Sequence, residues 1–250
     1  MYKKEINEYL DHMVARRLLQ DKSEWGGFRC VLFDMDGVLY DSMPNHAVAW
    51  QKAMSANGLC FTAEDSYATE GMKGVDTIRS YAERQTGKQL TEADAQAIYD
   101  EKARIFHKMP EAKIFDGVVD LMKQIRRANM PICVVTGSGQ KPLIQRLIRD
   151  FGDFIDEHHI VSAYNVSHGK PAPDPYLKGL ELAGGMKPWE GIVVENAPMG
   201  VRAGVAANIF TIGINSGPLS DEMLAREGAN IVLPNIRCLS DIWQQLIQAH

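Results

Sequence analysis

Cysteine is scarce in this chain and poorly spaced for chemistry. Cys30, Cys60, Cys133 and Cys238 are scattered, without the short spacings that hold zinc or build a disulfide framework. No apolar run is long enough to span a bilayer. The opening Met1-Tyr2-Lys3-Lys4-Glu5 carries no apolar stretch of a secretion signal. Positive charge is also short: a net charge of −5 leaves no electrostatic footprint for nucleic acid. There is no internal repeat and no low-complexity tract. The expectation is a protein without membrane or nucleic-acid partners, working in a reducing, cytoplasmic setting.

What is present is ample apolar material, 45% of 250 residues, enough for one large domain or a domain with an insertion. Residues 1–27 read as an addition, with Ile6, Tyr9, Leu10, Met13, Val14 and Leu18 at helical spacing. That stripe is expected to pack on the main domain or on a second subunit. Residues 30–33 form a short apolar run, a buried strand. From Ser42 to about Ala112 nothing resembles a strand; helices are expected over 44–57, 76–84 and 91–109. From Asp116 onward strands alternate with helices. The strands fall near 131–137, 160–161, 191–196, 209–214 and 231–233. This alternation implies a parallel sheet covered on both faces, which the first strand joins from across the helical insert. The expected division is 1–27, an extension; 28–42 with 113–250, a core; and 43–112, a helical cap.

The chain is organised around Cys30-Val-Leu-Phe-Asp-Met-Asp-Gly37. Asp34 and Asp36 close a strand one residue apart and so start on the same side. Two carboxylates that close repel unless a cation sits between them. Mg²⁺ prefers such hard oxygen ligands and keeps room for phosphate oxygens. A Ca²⁺ loop does not fit, because Val38-Leu39-Tyr40 breaks the spacing of oxygens. Three more motifs end strands of the expected sheet. Thr136-Gly137-Ser138-Gly139 precedes a helix, where a hydroxyl and backbone amides suit a phosphate. It is not a dinucleotide fingerprint, since Pro142 stands where the third glycine belongs. Lys170 lies in the proline-stiffened Gly169-Lys-Pro-Ala-Pro-Asp-Pro175, placed to neutralise charge. Glu195 and Asn196 end a strand, where they suit a metal shell.

In this order and layout the chain resembles the haloacid dehalogenase superfamily over residues 28–250, within the β-phosphoglucomutase-like group with a small helical cap. The resemblance implies an α/β fold, a Rossmann-like parallel sheet with an inserted cap domain. It implies Asp34 as nucleophile forming an aspartyl-phosphate, and Asp36 as acid and then base. Thr136 and Lys170 hold the phosphoryl oxygens, with Gly137 and Ser138 beside them. Mg²⁺ is bound by Asp34, the carbonyl of Asp36 and Asn196, with Glu195 close by.

Two departures matter. Many members carry Asp where this chain has Asn196. The mutases carry a cap arginine after Gly-Val-Ser, where this chain reads Gly74-Val75-Asp76-Thr77, and a lysine where it has Gly139. The leading expectation is a Mg²⁺-dependent phosphohydrolase acting on a small phosphorylated substrate, inorganic pyrophosphate first. β-Phosphoglucomutase or sugar-phosphate phosphatase is the alternative, and a non-catalytic binding module the third reading. The enzyme is expected as a monomer or homodimer. In the cap, His46 is expected to contact substrate or hinge, and Trp50 to pack a core. Glu70 is expected to reach Mg²⁺ as the cap closes, with Lys73 facing the substrate's phosphates.

Overall fold

The computed structural model describes residues 2–139 and 141–248. Helix α1 (Lys3–Ala15) precedes strand β1 (Cys30–Phe33). Four helices follow before the chain returns to the sheet: α2 (Met43–Ala56), α3 (Ala63–Ala68), α4 (Gly74–Thr86) and α5 (Glu92–Phe106). Then come α6 (Val118–Arg127), β2 (Ile132–Val135), α7 (Lys141–Phe151), β3 (Ile160–Val161) and α8 (Asp174–Leu182). The chain closes with β4 (Gly191–Glu195), α9 (Pro198–Ala206), β5 (Phe210–Ile214), α10 (Asp221–Arg226), β6 (Ile231–Leu233) and α11 (Ile236–Ile247).

The six strands are parallel in the order β3-β2-β1-β4-β5-β6, a Rossmann-like α/β sheet with helices on both faces. Strand alternation sorts the core into two layers. Val31, Phe33, Val134 and Val194 face one layer, where α1, α6 and α11 pack. Cys30, Leu32, Cys133 and Val193 face the other, against Tyr176 and Leu180 of α8. Being covered on both faces, β1 reads as an unbroken apolar run. It also sits where the strand order reverses, with β2 on one side and β4 on the other. In open parallel sheets the crevice at that point, outside the carboxyl ends, takes the ligand.

The helical insert has its own apolar cluster, with Trp50, Met54, Phe61, Ile78, Tyr81 and Ile98 at its centre. Trp50 is packing material, its ring 5.4 Å from that of Phe61. Two helices escaped the sequence reading. Helix α3 is only six residues long and depends on a capping box, Thr62 with Asp65. Helix α10 is equally short. The third expected cap helix ends at Phe106 rather than 109. Helix α1 packs on the main body: Ile6, Tyr9, Leu10 and Met13 are buried in its core. Tyr9 meets Phe210 edge-on at 5.3 Å and its hydroxyl donates to the Asn208 carbonyl at 2.9 Å. Among the described residues no helix is long and apolar enough to cross a membrane.

Candidate active site

The carboxyl edge of the sheet gathers the residues picked out by motif. Phe33 pairs with Val134 on one side and Val194 on the other, so Asp34 emerges level with the ends of both neighbours. Lys170 arrives from the loop before α8 and is buried beneath them. Its ammonium donates to Asp34 Oδ1 at 2.6 Å, Glu195 Oε1 at 2.6 Å and the Val135 carbonyl at 3.0 Å. All its hydrogens are thereby used. Burial opposes the lysine's charge, but Asp34 and Glu195 more than offset it, and its pKa is raised.

Glu195 is turned to this lysine rather than outward. Oε1 also accepts from the Tyr176 hydroxyl at 2.9 Å, and Oε2 accepts from the amides of Asn196 and Ala197. With both oxygens filled, it organises Lys170 in this arrangement and offers no oxygen to a metal.

Asp34 Oδ2 and Asn196 Oδ1 are buried oxygens with no hydrogen-bond partner. A buried unpaired acceptor is costly, and two at the ends of the adjacent strands β1 and β4 call for a cation. Burial pushes the Asp34 carboxyl above its ordinary range; Lys170 counteracts this, while Glu195 and Asp36 add repulsion. Hard oxygens of this kind fit Mg²⁺. Among the described residues no group of three His, Cys, Asp or Glu could hold a metal, so the set needs the Asn196 amide and a backbone carbonyl. Gly37 makes the turn possible. Its φ is +82°, and a Cβ there would lie 2.0 Å from Asn196 Nδ2.

Asp36 lies in a different setting. Its Oδ1 accepts from Ser42 Oγ at 2.6 Å and sits 3.2 Å from His46 Nε2. Burial works against its charge, but His46, Ser42 and Lys102 outweigh it, and its pKa is lowered. Two carboxylates one residue apart thus have environments that push them in opposite directions. His46 comes from α2 and faces Asp36, and its side chain also lines the space between cap and sheet edge. Behind it, the Lys102 ammonium of α5 donates to His46 Nδ1 at 2.8 Å.

Lys102 was missed from sequence, and a signal was there. Ala95, Ile98, Lys102 and Phe106 form the buried stripe of α5, so the lysine stands at an apolar position. Burial lowers its pKa, while Glu70 and Asp36 act to raise it. Ser42 and Tyr176 were missed too, and neither carries a local mark.

The cap loop closes over this edge. A Cβ on Gly137 would lie 2.9 Å from the Gly71 carbonyl, and one on Gly71 2.9 Å from Lys170 Cδ, so both positions need glycine for the approach. The narrow space beneath the loop is about 30 Å³ and is lined by Asp36, His46, Glu70, Lys102, Gly137 and Ser138 among others. Glu70 is half-buried there. Burial raises its pKa, with Asp36 adding to that and His46 and Lys102 opposing it. Thr136 Oγ1 accepts from the Ser138 amide at 3.0 Å, which shapes the loop at the end of β2. Lys73, expected to face the substrate's phosphates, lines a neighbouring space with Thr136, Gly137 and Lys170. Its ammonium donates to the Ser167 carbonyl at 2.7 Å, tying cap to core.

Comparison with known proteins gives the family. Residues 28–208 match the family model of the haloacid dehalogenase-like hydrolases. Hexitol phosphatase A of Escherichia coli is 33% identical over 74% of this chain and 82% of its own. Fructose-1-phosphate phosphatase of the same organism is 29% identical over 74% of this chain and 95% of its own. A solved structure titled as a putative β-phosphoglucomutase from Bacteroides vulgatus superposes with a TM-score of 0.91, at 40% identity over 99% of this chain and 97% of that one. The strand order, the carboxylate pair at the reversal point and these matches agree: the chain belongs to the haloacid dehalogenase-like hydrolases, in the β-phosphoglucomutase-like group, and is an enzyme of that family.

Proposed function

We propose that this enzyme is a phosphohydrolase working through an aspartyl-phosphate on Asp34. The observation that carries the reading is the division of labour at the strand end. Asp34 is pinned through one oxygen by Lys170, while Asp36 is held apart by Ser42 and His46. Asp34 attacks phosphorus through its other oxygen, and the bond to the leaving group breaks. Asp36, its resting carboxylate ionised, takes up a proton as the anionic phosphate enters beside it and gives it to that group, then removes one from the water that cleaves the acyl phosphate. The Thr136 hydroxyl and the Gly137 amide receive the phosphoryl oxygens, and Lys170, its hydrogens already engaged, contributes its positive charge from beneath Asp34. Asp34, the Asp36 carbonyl and Asn196 would hold Mg²⁺, with Glu70 approaching from the closed cap. When bound, Mg²⁺ supplies charge neutralisation between the nucleophile and an anionic phosphate. Residues 43–112 act as a cap domain over a core of 28–42 and 113–250, with 1–27 as an extension packed on it.

For the substrate, the geometry supports a compact polyanion, inorganic pyrophosphate. What supports this reading is the Glu70 carboxylate in the wall of the narrow space between cap and sheet edge, which suits a metal-bound anion better than a free ester.

A second reading, a sugar-phosphate phosphatase, has the better support from the relatives, whose names specify hexitol phosphate and fructose 1-phosphate. A groove of about 490 Å³ beside the narrow space, lined by Lys73, Asp76, Arg79, Gln96 and Tyr164, also offers polar groups to a polyol. A mutase is disfavoured, since Thr77 and Gly139 replace the cationic side chains that a second phosphate would need.

Phosphate release from pyrophosphate, fructose 1-phosphate, hexitol phosphates and β-glucose 1-phosphate separates these readings. Asp34→Asn and chelator should each abolish release, and Mg²⁺ should restore it in the chelated enzyme. A higher kcat/KM on a sugar phosphate than on pyrophosphate selects the second reading. Glucose 6-phosphate formed faster than phosphate selects the mutase.

A further inference from the structure

The two segments that join sheet and cap run side by side. Asp41 donates its amide to the Lys113 carbonyl at 2.8 Å, and Phe115 donates to that of Leu39 at 3.1 Å. Helix α7, which follows the Thr136 loop, lies against both. From the first segment, the Tyr40 hydroxyl donates to Asp150 Oδ2 at 3.0 Å. The Arg146 guanidinium stacks over the Tyr40 ring, 4.1 Å from its centroid. On the second segment, Arg146 Nη2 donates to the Ala112 carbonyl, and Arg149 pairs with Glu111 at 2.9 Å. Arg146 Nε also donates to Asp150 Oδ2 at 3.3 Å. The Arg146 and Asp150 side chains are only 13% and 15% exposed. A guanidinium offers several donors in one rigid plane, so it can hold two segments at once.

We propose that Arg146, backed by Asp150, is a hinge clamp: a positioning residue that fastens both cap linkers to α7 and biases the cap to its closed pose. With Tyr40 and Glu111–Ala112 fastened, rotation is confined to residues 41–42 before α2 and 107–110 after α5. Those few residues must carry His46 up to Asp36 and Gly71 down onto Gly137. Releasing the clamp lengthens the free segments, multiplies the open arrangements and raises the entropy that closure must give up. The apparent affinity for substrate then falls by the factor by which the closed fraction falls. Arg146 touches none of the reacting groups, so its loss acts on closure rather than on the chemical step.

The test uses the full chain carrying a dye at exposed Cys60 in the cap and a second at Lys178→Cys in the core, with Cys238→Ser. Arg146→Met keeps an apolar stem against Tyr40 but removes every donor. The free protein should move to longer cap–core distances. KM should rise about fivefold or more, matching the loss of closed molecules, with kcat within about twofold. Tyr40→Phe, which deletes only the hydroxyl, should shift both in the same direction by less. An unchanged distance distribution, or a distribution that shifts while KM stays put, overturns the clamp. If Arg146→Met does not fold, Tyr40→Phe decides by the same two readouts. The kinetic readout rests on the phosphohydrolase reading and the distance readout does not. Should no phosphate compound be turned over, the distances alone decide.

Discussion

The Lys102 ammonium on α5 lies 2.8 Å from Nδ1 of His46 on α2. A charged lysine can only donate there, so a neutral ring carries its proton on Nε2, the nitrogen that faces Asp36 at 3.2 Å. Two cap helices thereby meet at a side chain of the sheet edge.

Lys102→Met should break this arrangement. His46 loses the partner that fixes its ring, and Asp36 loses a steady neighbour 3.2 Å away. The expected result in steady-state kinetics is a fall in kcat of about tenfold or more, with a smaller change in KM. A kcat within twofold of the parent would remove Lys102 from the mechanism.

Gly37→Ala should damage fold and site together. The backbone there has φ +82°, and the added Cβ would sit 2.0 Å from Asn196 Nδ2. Urea unfolding should show a loss of about 1–3 kcal/mol. Mg²⁺ titration should show weaker binding, because Asn196 has to move.

Asn196→Asp should do the reverse for the metal and harm the metal-free protein. A second carboxylate beside the unpaired Asp34 oxygen adds repulsion. Without metal, thermal unfolding should shift down at neutral pH and recover as pH falls and a carboxylate is protonated. Calorimetric titration should show tighter Mg²⁺ binding. Equal affinity in both proteins would count against Asn196 as a ligand.

The thiols give an independent check on the sheet. Burial pushes those of Cys30 and Cys133 up to about 12, while Cys60 is exposed. Iodoacetamide near pH 8 should label Cys60 in the native protein and reach the two strand cysteines only on unfolding. Labelling of Cys133 at the rate of Cys60 would mean that the sheet opens locally.

Much of the core was legible because it is local. A buried parallel strand is an unbroken apolar run, and its end is marked by the first polar residues, so β1, β2 and β4 announced Asp34, Thr136 and Asn196. Lys170 stood out through its prolines. Short α3 was not legible, since its capping box acts within one turn and leaves no periodicity. Glu195 and Lys73 had the right residue types, but their partners, Lys170 and the Ser167 carbonyl, are brought to them by other parts of the chain.

The sequence by itself determined the parallel sheet, the insert between β1 and β2, and the set of groups at the strand ends, because alternation, apolar runs and motif order are read along the chain. Tertiary structure alone decided how those groups are partnered. Lys102 meets His46 across 56 positions of sequence, Lys170 meets Asp34 across 136, and Arg146 reaches both linkers at once. Contacts of that kind depend on how helices pack over the sheet edge, and packing is a property of surfaces that meet only when the chain is folded.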